Sequence, residues 1–421
     1  MAKRLHLFVD GRRVATLEEQ LQEEQFFAYS LQYLPKIKPG DCLSLSLPVR
    51  DEPYLLREVP LCLRQNFPEG DRLTGLMAMS RVADVSNDMQ ILSLVGQNAV
   101  GRVTVSESMA APLSDLPHVT LHDASRSGRA YFEKLYEAYG FAQGVSGAQR
   151  KALAQMAGPH PVLMTREFLI KGFDSQIYPA LAENEYWCLR AAQRCGIRTA
   201  QAVLSEDFST LIIKRFDISD ECAQKRFMLD EVGALRGFSN IQKYQASYQI
   251  VADAIEMFSH DVLSDWRSFF QQLAFVVAIK NGDAHIKNFA FLTRDAQTRL
   301  APAYNLVCTG AYVKADQGEF ENPALALDNE RSERHWWNRD RLMEFGRDYL
   351  LLDRDDMESI FMEIESGLGE TAREMCEAKT SEAFSQIVRP KMLKFWTRPF
   401  DLPGWGDYPV STDRSTVNKT R

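Results

Sequence analysis

The stretch Lys280-Asn281-Gly282-Asp283-Ala284-His285-Ile286-Lys287-Asn288-Phe289-Ala290-Phe291-Leu292 joins two regular elements that the sequence predicts. The apolar run before it, from Leu273 to Ile279, predicts the end of a buried helix. Asn281-Gly282 then supplies turn chemistry, and the apolar run from Phe289 to Leu292 predicts a strand. Asp283 and Asn288, five residues apart, are therefore expected on a loop between a helix and a strand.

An Asp and an Asn at this spacing have two interpretations. In an Asx-type turn that caps a helix, both side chains serve only local hydrogen bonds. In protein kinases, the pattern D-x-x-x-x-N places an Asp that accepts the proton of the attacking hydroxyl and an Asn that holds Mg²⁺. The pair alone does not decide between them, so the other motifs of the chain bear on the choice.

The composition is that of an ordinary globular protein, with 45% hydrophobic and 25% charged residues. A length of 421 residues allows two or three domains with a sizeable core. The formal net charge of −8 argues against a bulk electrostatic grip on nucleic acid by the chain itself.

The cysteines predict the redox environment. There are seven, with no C-x-x-C pair and no zinc-type spacing, so they are expected to be free thiols in a reducing cytoplasm. The apolar stretch that follows Met1-Ala2-Lys3-Arg4 is too short for a signal peptide. No run reaches membrane-spanning length, and the sequence therefore predicts a cytoplasmic protein without a membrane partner.

Residues 1–110 are predicted to form an accessory domain without catalytic residues. Two apolar stretches flank Asp10-Gly11 and predict a β-hairpin. The strict alternation from Leu43 to Leu47, closed by Pro48, predicts a half-buried strand. The polar, turn-rich segment 112–128 predicts a connector to the next domain.

A glycine-containing segment, Gly144-Val145-Ser146-Gly147-Ala148-Gln149-Arg150-Lys151, follows a helical period from Ala130 to Ala142. Glycines beside a serine, with basic residues after them, suit a loop whose backbone N–H groups wrap phosphates. The segment matches neither the Walker A nor the G-x-G-x-x-G pattern, so a plain turn is the alternative.

The strand predicted from Phe168 to Phe173 carries Lys171 near its end. A buried lysine is costly unless it is paired, so Lys171 is either an edge residue in water or a phosphate-contacting lysine that pairs with a helix glutamate. The helix predicted from Ala182 to Cys195 offers Glu183 and Glu185 as partners. Either acid is also explained by the favourable charge at a helix N-terminus.

Two apolar runs, Ala202 to Leu204 and Leu211 to Phe216, predict a hairpin that ends in Lys214-Arg215-Phe216-Asp217. A strand exit of this kind is where a kinase hinge presents backbone groups to adenine. Long amphipathic helices are predicted for residues 244–258 and 262–279, and the second one delivers the opening loop.

The remaining segments complete the prediction. A strand from Leu300 to Val307 places Asn305 seventeen residues beyond Asn288, where a kinase has its second magnesium carboxylate. Residues 340–394 are predicted to be mostly helical, and residues 401–421 to fray.

Taken together, these motifs resemble HipA-type serine/threonine kinases, the toxin halves of bacterial toxin–antitoxin pairs. The resemblance spans nearly the whole chain, and its specificity lies in the joint order of the motifs. They are Leu47-Pro48-Val49-Arg50, Phe67-Pro68-Glu69-Gly70, Gly147-Ala148-Gln149-x-Lys151, Asn184-Glu185-Tyr186, Arg215-Phe216-Asp217, Asn281-Gly282-Asp283-Ala284-His285-x-Lys287-Asn288 and Pro302-Ala303-Tyr304.

The resemblance implies an α+β, atypical two-lobed protein-kinase-like fold. It implies an N-terminal α/β accessory domain in residues 1–110, an N-lobe with phosphate loop and hinge in residues 125–240, a mostly helical C-lobe in residues 241–408 and a flexible tail in residues 409–421. It further implies ATP and Mg²⁺ as cofactors and a HipB-type helix-turn-helix antitoxin as a partner. The phosphorylated target implied is often an aminoacyl-tRNA synthetase, and DNA is reached only through the antitoxin.

The resemblance also implies roles for individual residues. Asp283 is similar to the general base, Lys171 to the lysine on the α-phosphate, and Asn288 and Asn305 occupy the magnesium positions. His285 and Lys287 either support the base, stabilise the transferring phosphoryl group or only make polar contacts within the loop. The positions of the phosphate loop and of the adenine and ribose site are Ser146, Gly147, Ala148, Gln149, Lys151, Lys214, Phe216 and Asp217.

Two positions depart from the family pattern. Asn305 stands where the family has Asp, and a neutral amide oxygen binds Mg²⁺ more weakly than a carboxylate. A loss of about 10²-fold or more in turnover is expected, since each factor of ten is only ~1.4 kcal/mol. The residue is either natural or a substitution that makes a toxic protein tolerable to produce. In the phosphate loop, Gly144 replaces one serine that the family phosphorylates, which leaves Ser146 as the expected regulatory site.

The sequence predicts a kinase toxin whose activity is weakened by Asn305. The main alternative is an inert kinase fold that acts by binding its antitoxin on operator DNA. A lipid or small-molecule kinase is a third alternative, which an apolar membrane-facing patch would favour, and the sequence shows none.

Overall fold

The computed structural model describes residues 3–21, 27–69, 73, 87–112, 116–139, 162–173, 178–222, 225–312, 322–330 and 334–400. Several predictions fall outside these ranges. They concern the phosphate-loop residues Ser146, Gly147, Ala148, Gln149 and Lys151 and the tail 409–421.

The N-terminal region is built on a five-stranded antiparallel sheet. Its strands are β1 (Arg4–Val9), β2 (Arg12–Leu21), β3 (Phe27–Tyr33), β4 (Tyr54–Leu56) and β5 (Val103–Ser106), in the order β4-β3-β2-β1-β5. The predicted hairpin at Asp10-Gly11 is confirmed, and both turn residues have positive φ, 49° and 74°. Helices α1 (Leu61–Arg64) and α2 (Asp88–Val95) contribute to the apolar core of this region.

The strand predicted for residues 43–48 is wrong. Ser44 and Leu47 form an isolated bridge around a tight turn, in which the Leu47 N–H donates to the Ser44 carbonyl at 3.0 Å. The Tyr33 hydroxyl accepts from the Leu43 N–H at 2.9 Å and donates to the Leu47 carbonyl at 2.5 Å. Alternation of leucine and serine therefore reflects a folded-back loop, because local serine hydrogen bonds compete with strand pairing.

The second sheet is antiparallel and has the order β6-β7-β9-β8. It consists of β6 (Val162–Met164), β7 (Phe168–Gly172), β8 (Ala202–Leu204) and β9 (Thr210–Lys214), so the strand that carries Lys171 is confirmed as an inner strand. The predicted helix after this strand is also confirmed as α4 (Leu181–Arg194).

The connector predicted for residues 112–128 is partly wrong, because helix α3 (Leu121–Tyr139) already begins within it. Gly128 interrupts this helix with φ 46° and ψ −133°. The segment after the kink places Phe132 in an apolar cluster with Leu163, Ile170 and Ile212 of the sheet. Within this helix, the polar residues His122, Asp123 and Arg126 are exposed, as expected for the solvent face of an amphipathic helix.

The C-terminal region is mostly helical. Its small antiparallel sheet contains β10 (Met228–Glu231), β11 (Ala290–Arg294) and β12 (Gln297–Leu300) in that order. Its helices are α5 (Val232–Leu235), α6 (Tyr248–Phe258), α7 (Val262–Ala278), α8 (Arg339–Leu350), α9 (Arg354–Glu377) and α10 (Arg389–Trp396). Helix α7 is the centre of the main core, since most of its residues are buried.

The strand predicted for residues 300–307 ends at Leu300. Beyond it, Ala303 makes a parallel bridge to Thr199, and Asn305 has a φ of 56°. A left-handed backbone ends strand geometry, and Asn is one of the residues that tolerate it best. The segment around Asn305 is thus an ordered loop.

The described structure contains mixed helix and sheet, with an N-terminal sheet region and a helical C-terminal region, so the predicted fold class is confirmed. All seven cysteines are free. Among the residues that the structure describes, no helix has the length and apolar content needed to cross a membrane.

Candidate active site

The opening loop is held by its own polar side chains. The Asp283 N–H donates to Asn281 Oδ1 at 3.1 Å, and Asn288 Nδ2 donates to the Asp283 carbonyl at 2.7 Å. The Gly282 N–H donates to Thr309 Oγ1 at 2.7 Å. These bonds fix the backbone of Asp283 in an Asx-type turn. None of them uses the Asp283 carboxylate, so that group is available for other contacts.

Lys171, Asn305 and Asn288 form a continuous chain of hydrogen bonds that leads to this loop. Lys171 Nζ lies 2.6 Å from Glu185 Oε1 and donates to Asn305 Oδ1 at 3.2 Å. Asn305 Nδ2 donates to Asn288 Oδ1 at 3.3 Å. The structure therefore brings together four residues that span positions 171 to 305, and it selects Glu185 as the lysine partner.

Glu183, the alternative partner, has a different role. Its carboxylate accepts from the Ser381 N–H at 2.9 Å and from the Ser381 hydroxyl. Ser381 in turn caps the segment that begins near Phe384, where its hydroxyl accepts the backbone N–H at 3.1 Å. Glu183 thus fastens helix α4 to the C-terminal segment and does not reach Lys171.

The Asp283 carboxyl is held by Tyr244, whose hydroxyl donates to Asp283 Oδ1 at 2.7 Å. Burial raises the pKa of Asp283, and the charges of Lys243 and Lys171 together with the Tyr244 hydrogen bond oppose that rise. One carboxylate oxygen is thereby fixed, while Oδ2 has no hydrogen bond among the described residues. No sequence pattern indicated Lys243 and Tyr244 as site residues, apart from their position just before helix α6.

Lys287 does not join this group through its ammonium. Lys287 Nζ lies 3.0 Å from Glu69 Oε1, 2.7 Å from Asn240 Oδ1 and 3.6 Å from Glu231 Oε2. Burial lowers the pKa of Lys287, but the carboxylates of Glu231 and Glu69 outweigh it and the pKa is raised. Of the three roles left open for Lys287, these contacts favour polar contact within the loop, because two acidic side chains lie against its ammonium.

His285 is buried and packs its ring edge-on against Tyr244, with the ring centroids 5.1 Å apart. Burial, followed by the charges of Lys243 and Lys287, holds the pKa of His285 well below its usual value. Its Nδ1 has no hydrogen-bond partner in the described part of the chain. His285 is therefore a neutral ring that supports Tyr244, and it supplies no positive charge to the site.

The residues predicted at the adenine and ribose lie in different environments. Lys214 is exposed and pairs with Asp220 at 2.6 Å, and Phe216 packs against Tyr304 with ring centroids 5.9 Å apart. The Asp217 side chain is buried, pairs with Arg215 at 2.6 Å and accepts the Gly101 N–H at 2.8 Å. The Asp217 carboxylate is therefore engaged by Arg215 and by the Gly101 N–H, and the second of these bonds connects the strand exit to the N-terminal region.

Comparison with known proteins places this arrangement in a family. The model described as HipA-like C-terminal domain matches residues 143–372, which is more than half of the chain, and the model described as HipA N-terminal domain matches residues 5–106. The chain belongs to the HipA family. This confirms the resemblance that the sequence motifs indicated.

Relatives of this HipA-family chain include two proteins of Sinorhizobium fredii. The protein named "Putative kinase Y4dM" is 25% identical over 332 residues, covering 73% of this chain and 77% of the relative. The protein named "Putative kinase Y4mE" is 25% identical over 330 residues, covering 73% and 78%.

A solved structure shares the fold. The Shewanella oneidensis MR-1 toxin–antitoxin complex of HipA, HipB and its operator DNA matches with a TM-score of 0.71 at 17% identity, covering 94% of this chain and 97% of that chain.

The cofactors that the HipA family implies fit this site unequally. Lys171 is a half-buried, paired ammonium of the kind that contacts phosphate oxygens in kinases. For Mg²⁺, the side chains near Asp283 are the amide oxygens of Asn288 and Asn305, both of which accept hydrogen bonds. In the described residues, no group of three or more His, Cys, Asp or Glu side chains gathers to hold a metal. The described residues thus offer a phosphate chain one paired ammonium, and they offer magnesium neutral amide oxygens.

Proposed function

We propose that this HipA-family chain is an ATP- and Mg²⁺-dependent serine/threonine protein kinase that acts as the toxin of a toxin–antitoxin pair. The observation that carries the proposal is the chain of contacts from Glu185 through Lys171, Asn305 and Asn288 to Asp283. A strand lysine paired with a helix glutamate, next to a loop with the D-x-x-x-x-N pattern, is the arrangement that phosphoryl transfer by kinases requires.

In this proposal Asp283 is the general base. Magnesium ATP, when bound, supplies the transferable γ-phosphoryl group. Tyr244 holds Oδ1, so Oδ2 accepts the proton of a serine or threonine hydroxyl. Lys171 positions the phosphate chain, and Glu185 keeps the ammonium in place. Asn288 and Asn305 would hold the metal through their amide oxygens.

Asn305 is expected to weaken this activity. A carboxylate at this position would be a hard anionic ligand, whereas the amide leaves the metal charge less neutralised. The lysine would also gain a second carboxylate partner 3.2 Å away. An active but slow enzyme follows from the proposal, with a turnover reduced by about 10²-fold or more.

The phosphate loop and its control are part of the proposal. Gly147, Ala148, Gln149 and Lys151 would contact the phosphates through backbone and side chain. Ser146 would be the site of self-phosphorylation, because a doubly charged group there repels the ATP phosphates. Phosphopeptide mapping of the active form after incubation with ATP and Mg²⁺ tests this directly, and an unmodified Ser146 would remove this control.

The proposed partner is a helix-turn-helix antitoxin of the HipB type. The Shewanella oneidensis HipA was solved with HipB and operator DNA, and the net charge of −8 suggests that DNA contact here also passes through the partner. An aminoacyl-tRNA synthetase is the proposed class of substrate. The seven free thiols support a cytoplasmic location.

One experiment tests activity and identifies the target together. The Asn305→Asp form is incubated with labelled ATP, Mg²⁺ and a bacterial cell extract, and labelled proteins are identified. We expect a discrete labelled band that Asp283→Ala in the same background abolishes. Equal labelling with and without Asp283 would exclude the proposed base.

An inert kinase fold that only binds its antitoxin is the second candidate, and Asn305 is the observation that favours it. ATP binding by the unchanged chain, measured with and without Mg²⁺, separates the two. Affinity that improves with Mg²⁺ supports the kinase, and no measurable affinity in either condition supports the binding module.

A further inference from the structure

Glu69 comes from the N-terminal region, yet its carboxylate lies among residues of the active-site loop. Glu69 Oε1 is 3.0 Å from Lys287 Nζ, and Glu69 Oε2 is 3.6 Å from Lys243 Nζ. The side-chain exposures of these three residues are only 11%, 5% and 9%. One carboxylate therefore bridges two buried lysines across 218 residues of sequence.

The two lysines belong to the two segments that carry the site. Lys287 precedes Asn288 in the loop, and Lys243 precedes Tyr244, whose hydroxyl holds the Asp283 carboxylate at 2.7 Å. The two segments also meet through the edge-on rings of Tyr244 and His285 and through the weak bond from the Ile286 N–H to the Lys243 carbonyl at 3.4 Å. Glu69 thus connects Lys243, which precedes the tyrosine that holds the proposed base, with Lys287, which precedes a proposed metal ligand.

Glu69 contacts both lysines, while Glu231 Oε2 lies 3.6 Å from Lys287 Nζ and the charge of Asp283 also acts on Lys243. Without Glu69, Lys287 would keep Glu231 and Lys243 would keep mainly Asp283, the proposed base. A buried charge that loses a close partner is strongly unfavourable. The lysines would then move toward water or toward Asp283, and either movement displaces the loop.

The N-terminal region also has docking contacts that do not involve Glu69. Gln65 donates to the Leu229 carbonyl at 2.9 Å and accepts the Glu231 N–H at 3.0 Å, so its amide caps the free edge of strand β10. The Leu45 N–H donates to Asp230 Oδ2 at 3.1 Å on the same strand. A neutral residue at position 69 leaves these contacts intact. A substitution there therefore tests the positioning of the loop while the other docking contacts remain.

We propose that Glu69 is a positioning residue of the phosphoryl-transfer site, through which the N-terminal region holds the loop of Asp283 and Asn288 in its working geometry. The inference rests on the proposed function for its catalytic consequence, whereas the effect on the loop itself is independent of activity. In the Phe67-Pro68-Glu69-Gly70 motif, Glu69 would thus position the active-site loop.

The test uses Glu69→Gln, which keeps the size of the side chain and removes the charge, in the Asn305→Asp background. We expect kcat to fall by about 10- to 100-fold, because small displacements of reacting groups have effects of this size. The KM for ATP should change by less than about threefold, since Lys171 and Glu185 are untouched. Glu52→Gln, an exposed acid on the same region, is the matched control and should change neither value.

Hydrogen exchange in the unliganded protein gives the second measurement. We expect faster exchange of the amides of residues 283–289 in Glu69→Gln, with exchange of strands β1 to β3 unchanged. Should the Gln variant not fold, Glu69→Asp, which keeps the charge on a shorter side chain, takes its place with the same expected split between kcat and KM.

The outcomes are distinct. Unchanged kcat together with unchanged loop exchange overturns the inference, and so does a rise in the KM for ATP with constant kcat. If Asn305→Asp itself transfers no phosphate, the proposed function fails. Loop exchange then decides the inference alone, with faster exchange in Glu69→Gln supporting the contact and unchanged exchange overturning it.

Discussion

Lys171 Nζ lies 2.6 Å from Glu185 Oε1, and this ion pair joins an inner strand of the second sheet to helix α4. The exposed fractions of the two side chains are 16% and 1%. Burial makes each charge dependent on the other, since removal of one partner from a buried pair costs about 3–5 kcal/mol. The pair also aims the ammonium at Asn305, which connects it to the loop of the proposed base.

Replacing Glu185 by Gln should lower the affinity for ATP by about tenfold or more, because the ammonium loses the anion that orients it. Isothermal titration of each variant with ATP measures this. Glu183→Gln, two residues earlier on the same helix, is the matched control, since Glu183 bonds Ser381 and not Lys171. We expect a lower unfolding temperature but unchanged ATP affinity for that control; the reverse pattern would contradict the assignment.

Replacing Asn305 by Asp should increase the Mg²⁺ dependence of ATP binding. The added carboxylate is expected to improve ATP affinity in the presence of Mg²⁺ by about tenfold or more, and to change it little in EDTA. The difference between the two conditions is the measurement. Asn281→Asp is the control, because Asn281 Oδ1 accepts a backbone N–H within the loop; an equal gain there would show that any added charge suffices.

Replacing Tyr244 by Phe should slow turnover and shift its pH dependence. Burial raises the pKa of Asp283 and the Tyr244 hydroxyl lowers it, so loss of that hydroxyl raises the pKa further. The acid limb of the kcat/KM profile should then move to higher pH, because the base is protonated over a wider range. Tyr248→Phe removes a hydroxyl that bonds the Ala284 carbonyl at 3.0 Å and should leave the limb in place.

Replacing Asp230 by Asn should stabilise the protein above neutral pH. Burial raises the pKa of Asp230 from 3.8 to about 6, so the folded state binds the proton more tightly than the unfolded state does. The ionised form therefore reduces stability as pH rises from about 4 to 6 and remains unfavourable above that range. An Asn side chain still accepts the Leu45 N–H, and a gain of about 1–3 kcal/mol near pH 8 is expected.

Urea unfolding at pH 4 and pH 8 checks this stability prediction. The gain from Asp230→Asn should disappear near pH 4, where Asp230 is protonated in the folded state. Asp51→Asn, at an exposed position, should show no pH-dependent difference. A gain of equal size at both pH values would mean that charge burial is not its cause.

At two segments, tertiary contacts produced a structure different from the strand that the local sequence pattern predicts. Leu43 to Leu47 alternates as a strand does, yet Tyr33 pins both ends of this segment into a turn. The apolar run after Leu300 extends as a strand in sequence, but the backbone of Asn305 turns left-handed. Local periodicity predicts which residues are buried, but it does not predict which strand or side chain they pack against.

The site residues were also predictable only in part. Turn chemistry, strand period and motif order can be read from the sequence, and they indicated Asp283, Asn288, Asn305 and Lys171 as candidates. The same patterns left Glu183 and Glu185 equivalent, although only Glu185 contacts the lysine.

By itself, the sequence determined the family, the order of the main elements and the residues proposed for phosphoryl transfer. Only the tertiary structure decided that Lys287 is neutralised by Glu69 and Glu231, that Tyr244 holds the proposed base, and that Asp217 is fastened to Gly101. The physical reason is that the function of a charged side chain depends on its nearest opposite charge and on how far it is buried from water. Both depend on segments brought together from distant parts of the chain.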